Sequence, residues 1–335
     1  MILSKRKNGI YYIYFLQQNG KRTCTTTHTR IKAEALKFVT NFEKEMEERK
    51  RIKLLPVSLA DFKKEYLVHS QTIHTKNTTK VIGVSFKFFE SYFGKITLPE
   101  LNKSNLTDYF QNRISTASIY QARIDRINLS SAFSYAVDKK YLASNPIKEI
   151  KPFKIPEKQP LFLSEAEFQI LLNATPDKDL RDLFTVAINT GLRQMEILTL
   201  TWQQINFRQN MIMLDNQQHI SKSKKSASVP LNLTALQILT DRELHKTSEF
   251  VFTYKNKSIQ PDFISHQFKK IVRSARLNDS FSFHSLRHSF ASWLVQRNVP
   301  IQQVQQLLRH ADLKTSLIYA HLRNDNLSTS VNLLN

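Results

Sequence analysis

Cysteine is nearly absent: Cys24 is the only one in 335 residues. No disulfide can form within a monomer, and no cysteine metal cluster is possible. Such usage suits a reducing cytoplasm, the expected location. Cys24 reads as a strand residue with no further role. Long apolar runs are missing as well. Nothing approaches the roughly 20 residues of a transmembrane helix. Met1 to Lys7 is charged and has no apolar stretch of signal-peptide length. No basic amphipathic anchor points to a membrane surface. Carboxylates are few, 28 against 49 lysines and arginines, and none cluster as a two-metal nuclease requires. No metal and no other cofactor is expected. Internal repeats are absent, which excludes a solenoid.

What is present in excess is positive charge. The net charge is +21 and the pI is near 9.9. Such a chain repels itself unless it meets a polyanion, and nucleic acid is the first candidate. The length exceeds what one hydrophobic core holds, so two or three domains are expected.

The first segment, residues 1–55, is basic. Ile10 to Leu16 is rich in tyrosine and β-branched residues and predicts a strand. Asn19-Gly20 predicts a tight hairpin turn, with Thr23 to Thr29 returning. A charged helix follows from about Lys32. Residues 56–145 read as an all-helical domain of about four helices. Ser58 is its first N-cap. Val81, Val84, Phe88, Phe89 and Tyr92 fall at helical spacing and are expected to face the core. So are Leu106, Tyr109, Phe110 and Ile114, and then Ile124, Ile127, Phe133, Ala136 and Val137. Residues 146–160 hold Pro146, Pro152, Pro156 and Pro160, with Lys148, Lys151, Lys154 and Lys158 between them. Proline at this density predicts an extended interdomain strap. It either follows a DNA backbone, with Lys151 and Lys154 as contacts, or is simply solvated. Residues 161–335 are mixed and mostly helical. Ser164 to Glu167 forms a capping box, Gly191 ends a helix, and short strands are expected at Met211 to Leu214 and between His219 and Leu231. The fold class is therefore mostly α with small β elements.

Candidate chemistry lies in this last segment. Arg193 follows Thr190-Gly191-Leu192, with Glu196 one turn on. His284-Ser285-Leu286-Arg287-His288 precedes an amphipathic helix, which leads to Leu308-Arg309-His310. Tyr319 lies nine residues further. A phosphodiester is anionic, and its transition state spreads more charge over its oxygens. Arginine forks meet two such oxygens at once. A tyrosine hydroxyl can attack phosphorus, and a histidine can donate to it.

This ordered set, Gly-Leu-Arg-x-x-Glu, His-x-x-Arg, Leu-x-His and a tyrosine nine residues on, resembles the tyrosine recombinases of the phage integrase family. The resemblance covers about Leu161 to His321. The helical domain resembles the family's core-DNA-binding domain, and the basic hairpin resembles the arm-type DNA-binding domains of some integrases. The resemblance implies that Tyr319 is the nucleophile, forming a 3′-phosphotyrosyl link and releasing a 5′ hydroxyl. Arg193 and Arg287 would clamp the non-bridging oxygens. His284 and His310 would hydrogen-bond the phosphate or manage the tyrosine proton, and Glu196 would hold the arginine or a nearby histidine. Lys222, ahead of Val229-Pro230, matches the family's hairpin general acid. Lys224 and Lys225 are its rivals, or else contact DNA. The family's glycine before the late histidine is Arg309 here. A left-handed backbone at that position would cost about 1 kcal/mol for a non-glycine residue, and Arg309 is assigned to DNA. His288 and His321 receive no catalytic role.

The implied activity is site-specific recombination of double-stranded DNA for a phage or mobile element. The protein would be a monomer when free and a homotetramer on two DNA sites. A type IB topoisomerase, relaxing DNA without a specific site, is one alternative. A silent DNA-binding protein is the other, and it would need no nucleophile. The tail carries Leu327, Val331 and Leu334 on one helical face. It is expected to dock on its own domain or on a neighbouring protomer.

Overall fold

The computed structural model describes residues 1–16, 22–51, 54–155, 159–214 and 227–322. The chain divides into two compact units, Met1–Pro156 and Glu157–Asn335.

The first unit opens with three antiparallel strands, β1 (Ile2–Lys5), β2 (Tyr11–Leu16) and β3 (Arg22–Thr26), in the order β1-β2-β3. β1 is additional to the hairpin that periodicity predicts. It pairs because Asn8-Gly9 makes a tight turn, with Gly9 at φ +80° donating to the Arg6 carbonyl at 2.9 Å. That dipeptide is the signal read at Asn19-Gly20, a turn that lies outside the described residues. Arg6 stacks on the Tyr12 ring at 4.0 Å and bonds the Tyr14 hydroxyl at 3.0 Å. A three-stranded sheet this small needs a covering element. Helix α1 (Lys32–Arg51) supplies it, packing on β1 and β2.

Four helices follow: α2 (Leu59–Ile73), α3 (Lys76–Phe93), α4 (Lys103–Thr116) and α5 (Ile119–Asp138). Ser58, Thr75, Asn102 and Ser118 cap their N-termini with side-chain oxygens. Their core is aromatic. Phe62, Phe86, Phe89, Tyr109 and Phe133 are fully buried, and the Phe89 ring meets Tyr109 edge-on at 4.9 Å.

The inward face of α3 differs from the expected one. Ile82, Ser85, Phe86 and Phe89 point inward, whereas Val81, Val84, Phe88 and Tyr92 are exposed. This helix is apolar on two faces, so spacing does not choose between them. Contact with α5 does: Asn128 donates to the Ser85 hydroxyl at 2.9 Å. On α5, Ile124 and Ile127 are likewise exposed, while Leu129, Ala132 and Phe133 are inside. Ile114 on α4 is exposed too. The exposed Phe88 lies under the Arg113 guanidinium at 4.0 Å. Arg113 in turn pairs with buried Asp125 at 2.8 Å.

The expected strap begins later than its prolines suggest. Pro146–Glu149 is a 3-10 turn, and Ile147 and Ile150 belong to the helical core. Proline is compatible with the first position of such a turn. Lys151 and Lys154 beyond it are exposed; Pro156 to Lys158 lie outside the described residues.

The second unit contains α6 (Glu165–Asn173), α7 (Lys178–Thr190), α8 (Gln194–Leu198), β4 (Ile205–Asn206), β5 (Met211–Leu214), β6 (Ala227–Pro230), α9 (Leu233–Leu244), β7 (Thr253–Tyr254), β8 (Lys257–Ser258), α10 (Pro261–Ser274), α11 (His284–Gln296), α12 (Ile301–Leu308) and α13 (Lys314–Leu317). Strands β4, β5 and β6 form one antiparallel sheet in that order, and β7 pairs with β8. The β7–β8 pair is too short for periodicity to register. Helix α11 packs on α7, and α7 on α9. Phe184, Phe268 and Phe283 meet in the main core. A second cluster joins Ala291 and Val295 of α11 to Val304 and Leu308 of α12 and to Tyr319. Among the described residues, no helix is long and apolar enough to cross a membrane.

The two faces of α3 can be separated by truncation. Phe86→Ala should cost about 3–5 kcal/mol, because Phe86 is fully buried. Phe88→Ala should cost about 1 kcal/mol or less. Urea unfolding of the two variants measures the difference; equal losses would contradict this packing.

Candidate active site

The site is assembled from the ends of helices. Helix α7 stops at Gly191, which is left-handed at φ +60°. A Cβ there would lie 2.5 Å from Cδ1 of Phe290 on α11. Glycine is therefore required both for the turn and for the close approach of α11. Arg193 caps the start of α8 just beyond. Arg287 lies in the first turn of α11 and is 3% exposed. Its guanidinium donates to the carbonyls of Gly191 and Leu308, the C-terminal ends of α7 and α12. Carbonyls at helix ends carry partial negative charge and suit a cation. Among the described residues, the buried arginine is thus oriented by backbone carbonyls.

Glu196 joins two arginines. Its carboxylate accepts from the backbone N–H and the guanidinium of Arg193, both at 2.8 Å. It also accepts from Arg309 at 2.6 Å. Burial by itself would raise this carboxyl; Arg309 and Arg193 outweigh it and hold the group below the usual carboxylate range. Arg309 is the left-handed C-cap of α12, at φ +56°, so the residue that replaces glycine does adopt the strained conformation. The residue assigned to DNA from the sequence turns its side chain inward. The side chain is only 10% exposed and is spent on Glu196.

The histidines sit within this cationic cluster. His310 is pushed down to about 4, first by burial and then by Arg287, Arg193 and Arg309. Its Nδ1 lies 2.8 Å from the Ser316 hydroxyl. His284 is lowered by burial, Arg287 and Arg193. Arg287 itself falls to about 9 through burial and repulsion from Arg193 and Arg309. Like charges held this close are relieved when an anion binds among them. Tyr319 is 2% exposed. Burial raises its hydroxyl to about 12, and Arg287 acts in the opposite sense.

Residues up to 126 positions apart in the chain, Arg193, Glu196, His284, Arg287, Arg309, His310 and Tyr319, therefore share one electrostatic neighbourhood. Sequence reasoning passed over His288. Its Nδ1 lies 2.6 Å from the Tyr319 hydroxyl. The readable signal was its spacing, one turn after His284 on the same helix face. Lys222, Lys224 and Lys225 lie outside the described residues, as do the tail residues Leu327, Val331 and Leu334.

With this geometry in place, the chain can be set beside known proteins. Residues 162–326 match the phage integrase family. A tyrosine recombinase of Thermosipho africanus is 28% identical over 268 residues, covering 77% of this chain and 93% of that protein. The ICEBs1 integrase of Bacillus subtilis is 25% identical and covers 96% of each chain. The integrase of Salmonella phage P22 is 32% identical over 163 residues, 44% of this chain and 41% of that one. Among solved structures, a lambda integrase dimer bound to a COC′ core site aligns with a TM-score of 0.70 at 18% identity, over 95% of this chain and 94% of its own. The Tn1549 transposon integrase in complex with transposon right end DNA gives 0.70 at 17% identity, over 83% of this chain and 99% of its own. At such identities the structural likeness is one of fold. The chain belongs to the tyrosine recombinase (phage integrase) family and is an enzyme of that class.

Two outcomes follow from the buried network. Arg309→Ala keeps the strained backbone but strips Glu196 of one partner, so it should cost on the order of 3 kcal/mol. It should leave the salt dependence of DNA binding unchanged, as a filter-binding series would record; a shallower slope would return Arg309 to the DNA. His288 and His310 are both held near 4, below the ordinary 6.5. For groups lowered in this way the unfolded chain binds more protons, so stability falls as pH drops from about 6.5 towards 4. Melting temperatures across that range should decline, and less steeply in a His288→Gln, His310→Gln double variant.

Proposed function

We infer that this protein is a site-specific DNA recombinase, the integrase of a phage or mobile element, and that its second unit cuts and rejoins double-stranded DNA through a covalent tyrosine intermediate. The observation that carries this reading is the buried Tyr319 hydroxyl set among Arg287, Arg193 and their histidines. A module that only bound DNA would need no nucleophile at the centre of its cations.

In this reading Arg193 and Arg287 hold the non-bridging oxygens of the scissile phosphate. His284 and His310 hydrogen-bond the same group. The Tyr319 oxygen attacks phosphorus, the bond to the 5′ oxygen breaks, and a 3′-phosphotyrosyl link remains. The departing 5′ oxygen takes a proton from Lys222, with Lys224 and Lys225 as rivals for that task. The 5′ hydroxyl of a second strand reverses the step. The cations of the chain itself supply the charge that a metal would otherwise bring. Residues 56–145 grip the core site, with Lys151 and Lys154 contacting backbone phosphate, and residues 1–55 bind separate arm sites. Four protomers on two duplexes carry out exchange, consistent with a lambda integrase neighbour described as a tetramer bound to a Holliday junction. The free protein is a monomer working in the cytoplasm.

Tyr319→Phe is the direct test. The variant should bind duplex DNA like the parent and form no covalent adduct on a nicked suicide substrate, as read on a denaturing gel. An adduct of undiminished yield would overturn the assignment.

A further inference from the structure

We propose that His288 is a catalytic residue, the general base that removes the Tyr319 proton during attack. The inference rests on the recombinase reading above and adds a component to it.

The hydrogen bond between His288 Nδ1 and the Tyr319 hydroxyl is 2.6 Å long. The ring centroids are 5.9 Å apart, so the contact is edge to hydroxyl rather than a stacked pair. Tyrosine at neutral pH is a donor, so Nδ1 must offer its lone pair and the ring proton sits on Nε2. The surroundings favour that neutral ring. Burial comes first, and His284, Arg287 and His310 add repulsion against a second proton. His284 lies beside it, ring centroid to centroid 4.7 Å. No carboxylate is bonded to the His288 ring among the described residues. The other polar contacts of the cluster are committed elsewhere: His310 Nδ1 to Ser316, and Arg287 to two backbone carbonyls. His288 is thus the histidine that touches the reacting oxygen.

A base this depressed is weak in the empty site. Substrate changes that. A phosphodiester brings negative charge beside Arg287, whose repulsion helps to hold His288 neutral. Its basicity rises when phosphorus is in place to be attacked. As the Tyr319 oxygen bonds to phosphorus, its proton passes to Nδ1 and the ring becomes an imidazolium. The bond from phosphorus to the 5′ oxygen breaks, and that oxygen is protonated separately by the general acid. Rejoining returns the Nδ1 proton to the departing tyrosine oxygen. Before substrate arrives, the same bond keeps the hydroxyl protonated and aimed within the cluster.

The test compares His288→Ala and His288→Asn with the parent protein in single-turnover adduct formation. Two suicide substrates are used, an ordinary phosphodiester and one with sulfur at the 5′-bridging position. A thiolate leaves without a proton, so the second substrate rescues loss of a general acid but not loss of a base. Both variants should bind duplex DNA as the parent does and form adduct about 100-fold more slowly. The sulfur substrate should leave that defect in place while it restores Lys222→Ala. His288→Asn, close in polarity, is the variant to read if the alanine protein melts early. Parent-like rates in a variant, or a defect erased by sulfur, would overturn the role of His288 alone. An adduct that survives Tyr319→Phe would overturn the recombinase reading beneath it.

Discussion

The second unit depends on one buried cation. Arg287 is almost wholly enclosed, and a guanidinium removed from water is costly unless its donors are met. Here two of them are met by the carbonyls of Gly191 and Leu308, at the C-terminal ends of two helices. Those carbonyls have no intrahelical partner and need one. The same contact thus satisfies the arginine, finishes both helices and fixes the distance between them. Everything else in the site hangs from it. Gly191 must lack a side chain because Phe290 of the same helix comes close behind Arg287. Arg193 follows directly from that turn, and His310 follows directly from the other helix end.

A second connection reinforces the first. Glu196 bridges Arg193 to Arg309, tying the start of α8 to the end of α12. The left-handed arginine at 309 costs about 1 kcal/mol of backbone strain, and a paired, buried guanidinium offsets it. A structural cation thus occupies a left-handed position that would favour glycine. The gain is a rigid frame around Arg193, whose side chain remains more accessible than that of Arg287. Rigidity matters because electrostatic stabilisation of a transition state works through groups that do not need to reorganise.

The tyrosine is held by a third interaction of different character. Tyr319 is packed with Ala291, Val295, Val304 and Leu308, so the apolar body of the ring is fixed by α11 and α12. Its hydroxyl end meets His288. An aromatic ring anchored on its flank and hydrogen-bonded at its tip has little freedom, and the helix that carries Arg287 also packs against Tyr319.

The sequence by itself determined the class of fold, the ordered motifs and the identity of the charged groups. Those signals are local: a glycine after a helix, an arginine two residues on, a histidine three before an arginine. It also determined most helix starts, since caps such as Ser58 and Ser164 act within their own first turn. Tertiary structure decided which face of a doubly apolar helix is inside. Val81, Val84, Phe88 and Tyr92 had the right spacing and lie outside, because α5 meets the other side. It decided that Ile147 and Ile150 belong to a core rather than a strap. It decided that Arg309 faces a carboxylate 113 positions away rather than solvent, and that His288, which motif spacing leaves without a role, touches Tyr319. The physical reason is the same in each case. Spacing places a side chain on a face of its own helix, and only the packing of a second element decides what that face meets.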